Sequence, residues 1–139
     1  MTCKTWERYG IHLLEPIFRL LGGGFTSVRL ETQPGLEVAH LQHRSGAQVS
    51  LPVIYDGGAT FGTLHICGVA GQTTLRFTDT YTAFRRQLVS FIDYVRTGAA
   101  PHSFAETVEL MTALIAGLRS RAENSRRVDL AEISSSLSL

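Results

Sequence analysis

The chain has 139 residues, of which 44% are hydrophobic and 18% are charged, and these values are typical of a single globular domain. Its formal net charge is +1, so no strong field favours nucleic acid or an anionic membrane as a partner. Its two cysteines form no C-x-x-C pair, and no apolar run approaches the ~20 residues that a transmembrane helix needs. We therefore expect a soluble, cytoplasmic protein that binds neither nucleic acid nor membrane.

The first predicted element is a helix over residues 11–21. Its apolar residues recur at intervals of three and four, which is the helical period. Three glycines follow, Gly22 to Gly24, and glycine readily adopts the left-handed conformation that ends a helix. We expect this helix to pack its apolar side against a sheet.

The next half of the chain alternates apolar and polar residues, which predicts strands. The predicted strands cover residues 25–33, 36–43, 47–55, 61–68 and 72–78. Their connectors are short and rich in turn-forming residues such as Gly46 and Gly71, so they cannot hold a crossover helix. The strands are therefore predicted to pair mainly as antiparallel hairpins.

Two further helices close the predicted domain. The first covers residues 80–97 and ends at Gly98, and the second begins at a capping box formed by Ser103 and Glu106. Each carries an apolar stripe that we expect to be buried: Phe84, Leu88, Phe91, Ile92 and Val95 in the first, and Val108, Met111, Leu114, Ile115 and Leu118 in the second. The predicted fold is α+β: an open, largely antiparallel sheet of about five or six strands with helices on one face.

The predicted domain covers residues 1–133, and residues 134–139 are predicted to be a flexible tail. Residues 47–55 and Phe61 supply more apolar side chains than one helix-facing layer needs; they include Val49, Leu51, Val53 and Tyr55. An apolar open face is a candidate association surface. We therefore expect a homodimer that forms through the open face of the sheet.

Several motifs occur in an order that resembles a known domain. They are Gly10-Ile11-His12 at the start of the first helix, Phe91–Gly98 at the end of the second, Pro101 in the turn, Leu118–Glu123 and Arg127–Leu130. Over residues 7–133 the chain resembles the C-terminal domain of the Gfo/Idh/MocA oxidoreductases, the glucose–fructose oxidoreductase and inositol dehydrogenase family. That domain has the fold of the dihydrodipicolinate reductase C-terminal domain.

The resemblance implies a nucleotide-binding partner that this chain is expected to lack. Family members place a Rossmann domain first, which binds NAD(P), and the α+β domain second. His12 matches the family histidine that faces a sugar or polyol substrate beside the nicotinamide, where imidazole can both donate and accept a proton. The resemblance therefore implies that His12 is the catalytic candidate and that a Rossmann-domain chain is a candidate partner.

Three departures from the family pattern make the chain an improbable enzyme alone. Arg8 stands where many members carry an aspartate that orients the histidine, with Glu7 one position earlier. The partner lysine of the family lies in the Rossmann domain, and Lys4 is not in that context. No G-x-G-x-x-G follows a strand, since Gly22 to Gly24 follow a helix. We expect no NAD(P) binding by this chain alone, and His12 is alternatively a helix-start histidine bonded to nearby backbone.

Two functional hypotheses remain open from the sequence. The chain is either the C-terminal substrate-side and oligomerisation domain of such an oxidoreductase, as a fragment or a split subunit, or a stand-alone non-catalytic module that binds a small molecule or assembles with another chain. A small α+β ligand-binding domain of unrelated ancestry is a third interpretation. His40, His43 and His65 are too scattered to predict a metal site, and Cys67 is expected to be buried and inert.

Overall fold

The computed structural model describes residues 4–56 and 62–136. These residues form an α+β fold built on antiparallel strands, as the sequence predicts. The elements in chain order are α1 (Trp6–Leu21), β1 (Phe25–Gln33), β2 (Leu36–His43), β3 (Gln48–Ile54), β4 (Thr63–Gly68), β5 (Gly71–Arg76), α2 (Thr80–Thr97), α3 (Phe104–Ala122), β6 (Val128–Asp129) and α4 (Leu130–Ser136).

The described strands divide between two sheets. Strands β3, β2, β1 and β6 form an open four-stranded sheet in that order, and β4 pairs only with β5 in a two-stranded hairpin. The number of described strands agrees with the expected five or six. They form two separate sheets, however, and not the single sheet that was expected. In the hairpin, Thr63–Gly68 pairs with Gly71–Arg76 and with no other described strand. Residues 55–62 separate the hairpin from β3 along the chain.

Helices α1 and α3 cover one face of the four-stranded sheet and form the core with it. Trp6 is fully buried between them, and its indole N–H donates to the carbonyl oxygen of Leu114 at 2.9 Å. Two glycines make this close packing feasible. A Cβ on Gly10 would lie 2.9 Å from Leu114 Cδ1, and one on Gly117 would collide with the Trp6 indole. We call α1, β1–β3, α3, β6 and α4 the body.

The structure extends the first helix and corrects the buried side of α3. Helix α1 begins at Trp6, five residues before the predicted start at residue 11, because Trp6 packs in the core and its N–H is bonded to Glu37. On α3 the buried face carries mainly small residues, including Ala113, Ala116 and Gly117. The predicted buried stripe was therefore wrong for Val108, Met111 and Ile115, which are exposed, and right for Leu114.

The hairpin β4–β5 and helix α2, which we call the arm, are packed very differently from the body. Helix α2 has the predicted bounds, yet none of its residues is buried, so the prediction that its apolar stripe lies in the core was wrong. Every residue of β5 is exposed. Leu64 of β4 is half-buried and packs against the edge of the core.

The C-terminal segment adds a short strand and a helix to the body. Val128 pairs with Val28, and Leu130 and Ile133 of α4 are buried. The predicted tail at residues 134–139 overlaps this helix, which continues to Ser136; residues 137–139 lie outside the described part of the chain. Among the residues that the structure describes, no helix combines the length and apolar character that a membrane span requires.

Candidate functional site

His12, the catalytic candidate from the sequence, lies on the solvent side of α1. Its side chain is 45% exposed, and its Nδ1 is 3.8 Å from Glu15 Oε2. The ring of Tyr9 meets the His12 ring edge-on, with centroids 5.4 Å apart. His12 therefore lies within a small surface group with Tyr9 and Glu15, which are neighbours on the same helical face.

Glu7, the carboxylate nearest to the position where the family carries aspartate, is bonded to α3. Arg121 Nη1 donates to Glu7 Oε2 at 2.8 Å, and this hydrogen bond lowers the pKa of Glu7 below its usual value. Glu7 therefore serves the contact between α1 and α3. The structure does not bring it to His12, whose ion-pair partner is Glu15.

The most deeply buried charge in the described part of the chain is Glu37 on β2. Its side chain is fully buried, accepts the Trp6 backbone N–H at 2.8 Å through Oε2, and accepts Arg121 Nη1 at 2.9 Å through Oε1. A carboxylate near a helix N-terminus satisfies a free amide and interacts favourably with the helix dipole. Glu37 thus joins α1, β2 and the end of α3.

Tyr55 lies beside this buried carboxylate. Burial, followed by the nearby charge of Glu37, raises the pKa of the Tyr55 hydroxyl. Arg121 has a raised pKa because it is hydrogen-bonded to Glu7 and Glu37. The Glu7 carboxylate therefore stays ionised beside the guanidinium, and Tyr55 keeps its proton. We call Glu7, Glu37, Tyr55 and Arg121 the hub. Each of its charged side chains is hydrogen-bonded within the protein, so the hub has a structural role.

Sequence reasoning missed Glu37 and also Glu109. Glu109 Oε1 accepts the backbone N–H groups of Gly24 and Phe25 at 2.6 and 2.8 Å, and so fixes the turn after α1. The signal for Glu37 was present, because it shares the inward-facing register of β2 with Ala39 and Leu41. A glutamate in an inward position indicates a partnered buried charge.

The histidines that were weighed as metal ligands lie apart. His40 is exposed and bonded to Ser50, whereas His43 is buried beside Gly23, on the opposite face of β2. His65 is bonded to Thr74 in the arm. Within residues 4–56 and 62–136, no group of three or more His, Cys, Asp or Glu side chains lies close enough together to hold a metal ion. Cys67 is exposed on β4, so the prediction that it is buried was wrong.

The open face of the four-stranded sheet carries both polar and apolar side chains. Leu51 and Val53, which led us to expect a surplus of apolar side chains, are buried in the core; Phe61 lies outside the described residues. The open face carries Arg29, which pairs with Glu31 at 2.9 Å, and the exposed His40, beside the half-buried Val38 and Ile54. The homodimer through this face stays a prediction.

Most of the exposed large apolar side chains of the described residues lie on α2 and the first half of α3. They are Tyr81, Phe84, Leu88, Val89, Phe91, Ile92, Tyr94 and Val95 on α2, and Phe104, Val108, Met111 and Ile115 on α3. A shallow groove of about 460 Å³ adjoins the α3 part and is lined by Phe104, Val108 and residues of α4. Apolar side chains exposed in such number mark an interaction site more often than a free surface.

Comparison of the chain with models of protein families, with curated proteins and with solved structures found no match. The resemblance to the C-terminal domain of the Gfo/Idh/MocA oxidoreductases therefore remains an interpretation of the motifs. The role that it implies for His12 remains a prediction.

Proposed function

We propose that this chain is an assembly domain, whose exposed apolar arm is completed by binding another polypeptide chain. The observation that supports this proposal is helix α2. It has 18 residues and no buried side chain. Five of its apolar residues nevertheless lie at the intervals of three and four that are typical of a packed helix face: Tyr81, Phe84, Leu88, Phe91 and Val95.

Energetics argue that α2 is completed by a partner. An isolated helix of this length is marginal in water, since helices in proteins gain most of their stability by packing an apolar face. Helix α2 has good local ends, because Asp79 Oδ1 accepts the Thr82 N–H at 2.8 Å and Gly98 closes the C-terminus in the left-handed conformation. Each cap contributes only about 1 kcal/mol. Burial of its aromatic and aliphatic side chains would stabilise it by several times as much.

Dye binding tests whether the apolar face is free in a single chain. At concentrations where the protein is monomeric, we expect 8-anilinonaphthalene-1-sulfonate to bind and fluoresce. The double substitution Phe84→Ser with Phe91→Ser should reduce that fluorescence by at least about half, because both rings are 60% exposed. A native, monomeric chain that binds no dye would contradict the proposal, since α2 would then be covered by its own chain.

A second candidate function is the substrate-side domain of an NAD(P)-dependent sugar or polyol oxidoreductase. The exposed position of His12 favours it, because a histidine on the outer side of α1 is accessible to a cofactor held by another domain. In this proposal a Rossmann-domain chain supplies NAD(P), the present chain is inactive alone, and the complex is cytoplasmic. Calorimetric titration with NADH and NADPH should give no binding to this chain; tight binding would contradict the proposal.

A further inference from the structure

We propose that the partner of the arm is a second copy of this chain, with α2 of each copy packed on α3 of the other. This inference rests on the proposed assembly function and specifies its partner. The argument uses the spacing of two exposed stripes, the position of the α2–α3 connection, the charges of the two helices and the area available for burial.

The two exposed stripes have matching geometry. On α2 the stripe consists of Tyr81, Phe84, Leu88, Phe91 and Val95, at intervals of three and four residues and with exposed fractions between 46% and 77%. On α3 it consists of Phe104, Val108, Met111 and Ile115, at the same kind of interval. Alternation of three and four is the spacing of paired helices. The stripes are about 21 Å and about 17 Å long, so they can pair over most of their lengths.

The connection between the helices lies on the side of α2 opposite to its stripe. A groove of about 450 Å³ separates α2 from the connection. It is lined by Ala99 and Pro101 of the connection and by seven residues of the helix: Arg85, Arg86, Val89, Ser90, Asp93, Tyr94 and Thr97. On a helical wheel the centre of these seven helix positions lies about 170° from the centre of the stripe. The stripe therefore faces away from the connection that leads to α3 of the same chain.

The charges favour the pairing of α2 with α3 over the pairing of two α2 helices. On α2, Arg85 and Arg96 lie on one flank of the stripe, about 80° and 100° from its centre on a helical wheel, whereas Arg86 and Asp93 lie on the opposite side. From Phe104 to Leu118, α3 carries no basic residue, and its Glu106 and Glu109 lie about 170° and about 130° from the centre of the α3 stripe. Two α2 helices paired through their stripes would bring these flanking arginines together and repel each other, whereas the pairing of α2 with α3 avoids that repulsion.

The exposed area suffices for a specific dimer. Tyr81, Phe84, Phe91 and Phe104 are each at least 60% exposed, which leaves on the order of 100 Å² of each aromatic side chain to be buried. Eight such rings in two copies offer about 800 Å², and their aliphatic neighbours bring the total into the roughly 1,200–2,000 Å² range of specific interfaces. The exchange is reciprocal, so the two copies form a closed twofold dimer with two equivalent helix pairs.

Charged substitutions in the two stripes test the pairing by complementation. Leu88→Glu places a negative charge in the apolar contact with α3, and Val108→Arg places a positive charge in the apolar contact with α2. Each variant alone should raise the dimer Kd at least about tenfold in sedimentation velocity. A mixture of the two should restore dimerisation to within about threefold of the unsubstituted chain, because the mixed dimer contains one unchanged helix pair and one pair of opposite charges.

The matched control is Val89→Glu. Val89 is the neighbour of Leu88 and is equally exposed, at 45% against 46%, but it lies outside the stripe and lines the groove beside the connection. We expect its Kd to stay within about threefold of the unsubstituted chain. The fluorescence of Trp6, the only tryptophan, reports in every variant whether the body is folded.

Each result distinguishes this inference from the proposed function on which it rests. Dimerisation that is unaffected by Val108→Arg, or is not restored in the mixture, would overturn the α2–α3 exchange and leave the assembly function in place. A monomer that binds the apolar dye at every concentration would overturn the second copy as partner, again without contradicting the assembly function. A monomer that binds no dye would overturn both.

Discussion

The body and the arm both contain apolar residues at helical and strand spacing but use them in opposite ways. In the body, the apolar residues of α1 and the sheet enclose Trp6, and small residues on α3 allow close packing. In the arm, α2 keeps its aromatic and aliphatic side chains at the surface. The difference indicates that the core of the body is complete within one chain, whereas α2 has the sequence of a packed helix without its packing partner.

The largest expected difference between the regions comes from a matched pair of leucines in two helices. Leu14→Ala in α1 should lower the free energy of unfolding by about 2–5 kcal/mol, because Leu14 is fully buried and its truncation leaves a cavity. Leu88→Ala in α2 should change it by less than about 0.5 kcal/mol in dilute solution. Urea titration followed by Trp6 fluorescence measures both. Equal losses for the two variants would mean that α2 is part of the core.

A smaller difference in the free energy of unfolding is expected between substitutions of two glutamates on adjacent strands of the body. Glu37→Gln removes the buried ion pair with Arg121 and should cost about 2–3 kcal/mol. Glu31→Gln, on the open face beside Arg29, should cost less than about 1 kcal/mol because that pair is exposed to solvent. The same urea titration measures both changes. A negligible effect of Glu37→Gln would show that the hub does not fasten α1 to the sheet.

The expected effect of a cap substitution in the arm is smaller still and strictly local. Asp79→Ala removes the acceptor for the Thr82 N–H and should destabilise the first turn of α2. Because α2 is not packed on the body, we expect lower helical circular dichroism without a shift in the unfolding midpoint reported by Trp6. A parallel shift of that midpoint would contradict the separation of arm and body.

The smallest expected effect on stability occurs at acidic pH. It comes from the exposed ion pair between Arg126 and Glu132 in the body. Hydrogen bonds from Arg126 and the Asp129 backbone lower the pKa of Glu132 from 4.5 to about 2. A lowered folded-state pKa gives stability that is fully present above about pH 4.5 and is lost as the pH falls toward 2. An NMR titration of the Glu132 side chain should give a midpoint near 2, and Arg126→Gln should move it back toward 4.5. An unshifted midpoint in the unsubstituted chain would contradict this ion pair.

Local signals in the sequence predicted the elements better than their packing. Asp79, Gly98 and the cap at Ser103, whose hydroxyl accepts the Glu106 N–H at 3.2 Å, give α2 and α3 ends that depend on neighbouring residues alone. The buried face of α3 was predicted wrongly because hydrophobicity favours Met111 and Ile115. The space beside Trp6 instead requires Gly117. That requirement depends on a residue more than a hundred positions away.

The site was less predictable than the fold for the same physical reason. Glu37 is buried because Trp6 and Arg121 bind it, and both partners are distant in sequence. The motif at Gly10-Ile11-His12 predicted a catalytic histidine by resemblance, but Gly10 has a packing role beside Trp6. A glycine and a histidine at this spacing therefore do not require a catalytic explanation.

Amide hydrogen exchange at low and high protein concentration most directly tests whether the arm is completed by a second copy. We expect the amides of residues 80–97 to exchange rapidly in dilute solution and to become protected as the concentration rises. The amides of residues 112–117, in the buried part of α3, should be protected equally at both concentrations. Protection of α2 as strong as that of α3 in the dilute monomer would contradict the division into a complete body and an incomplete arm.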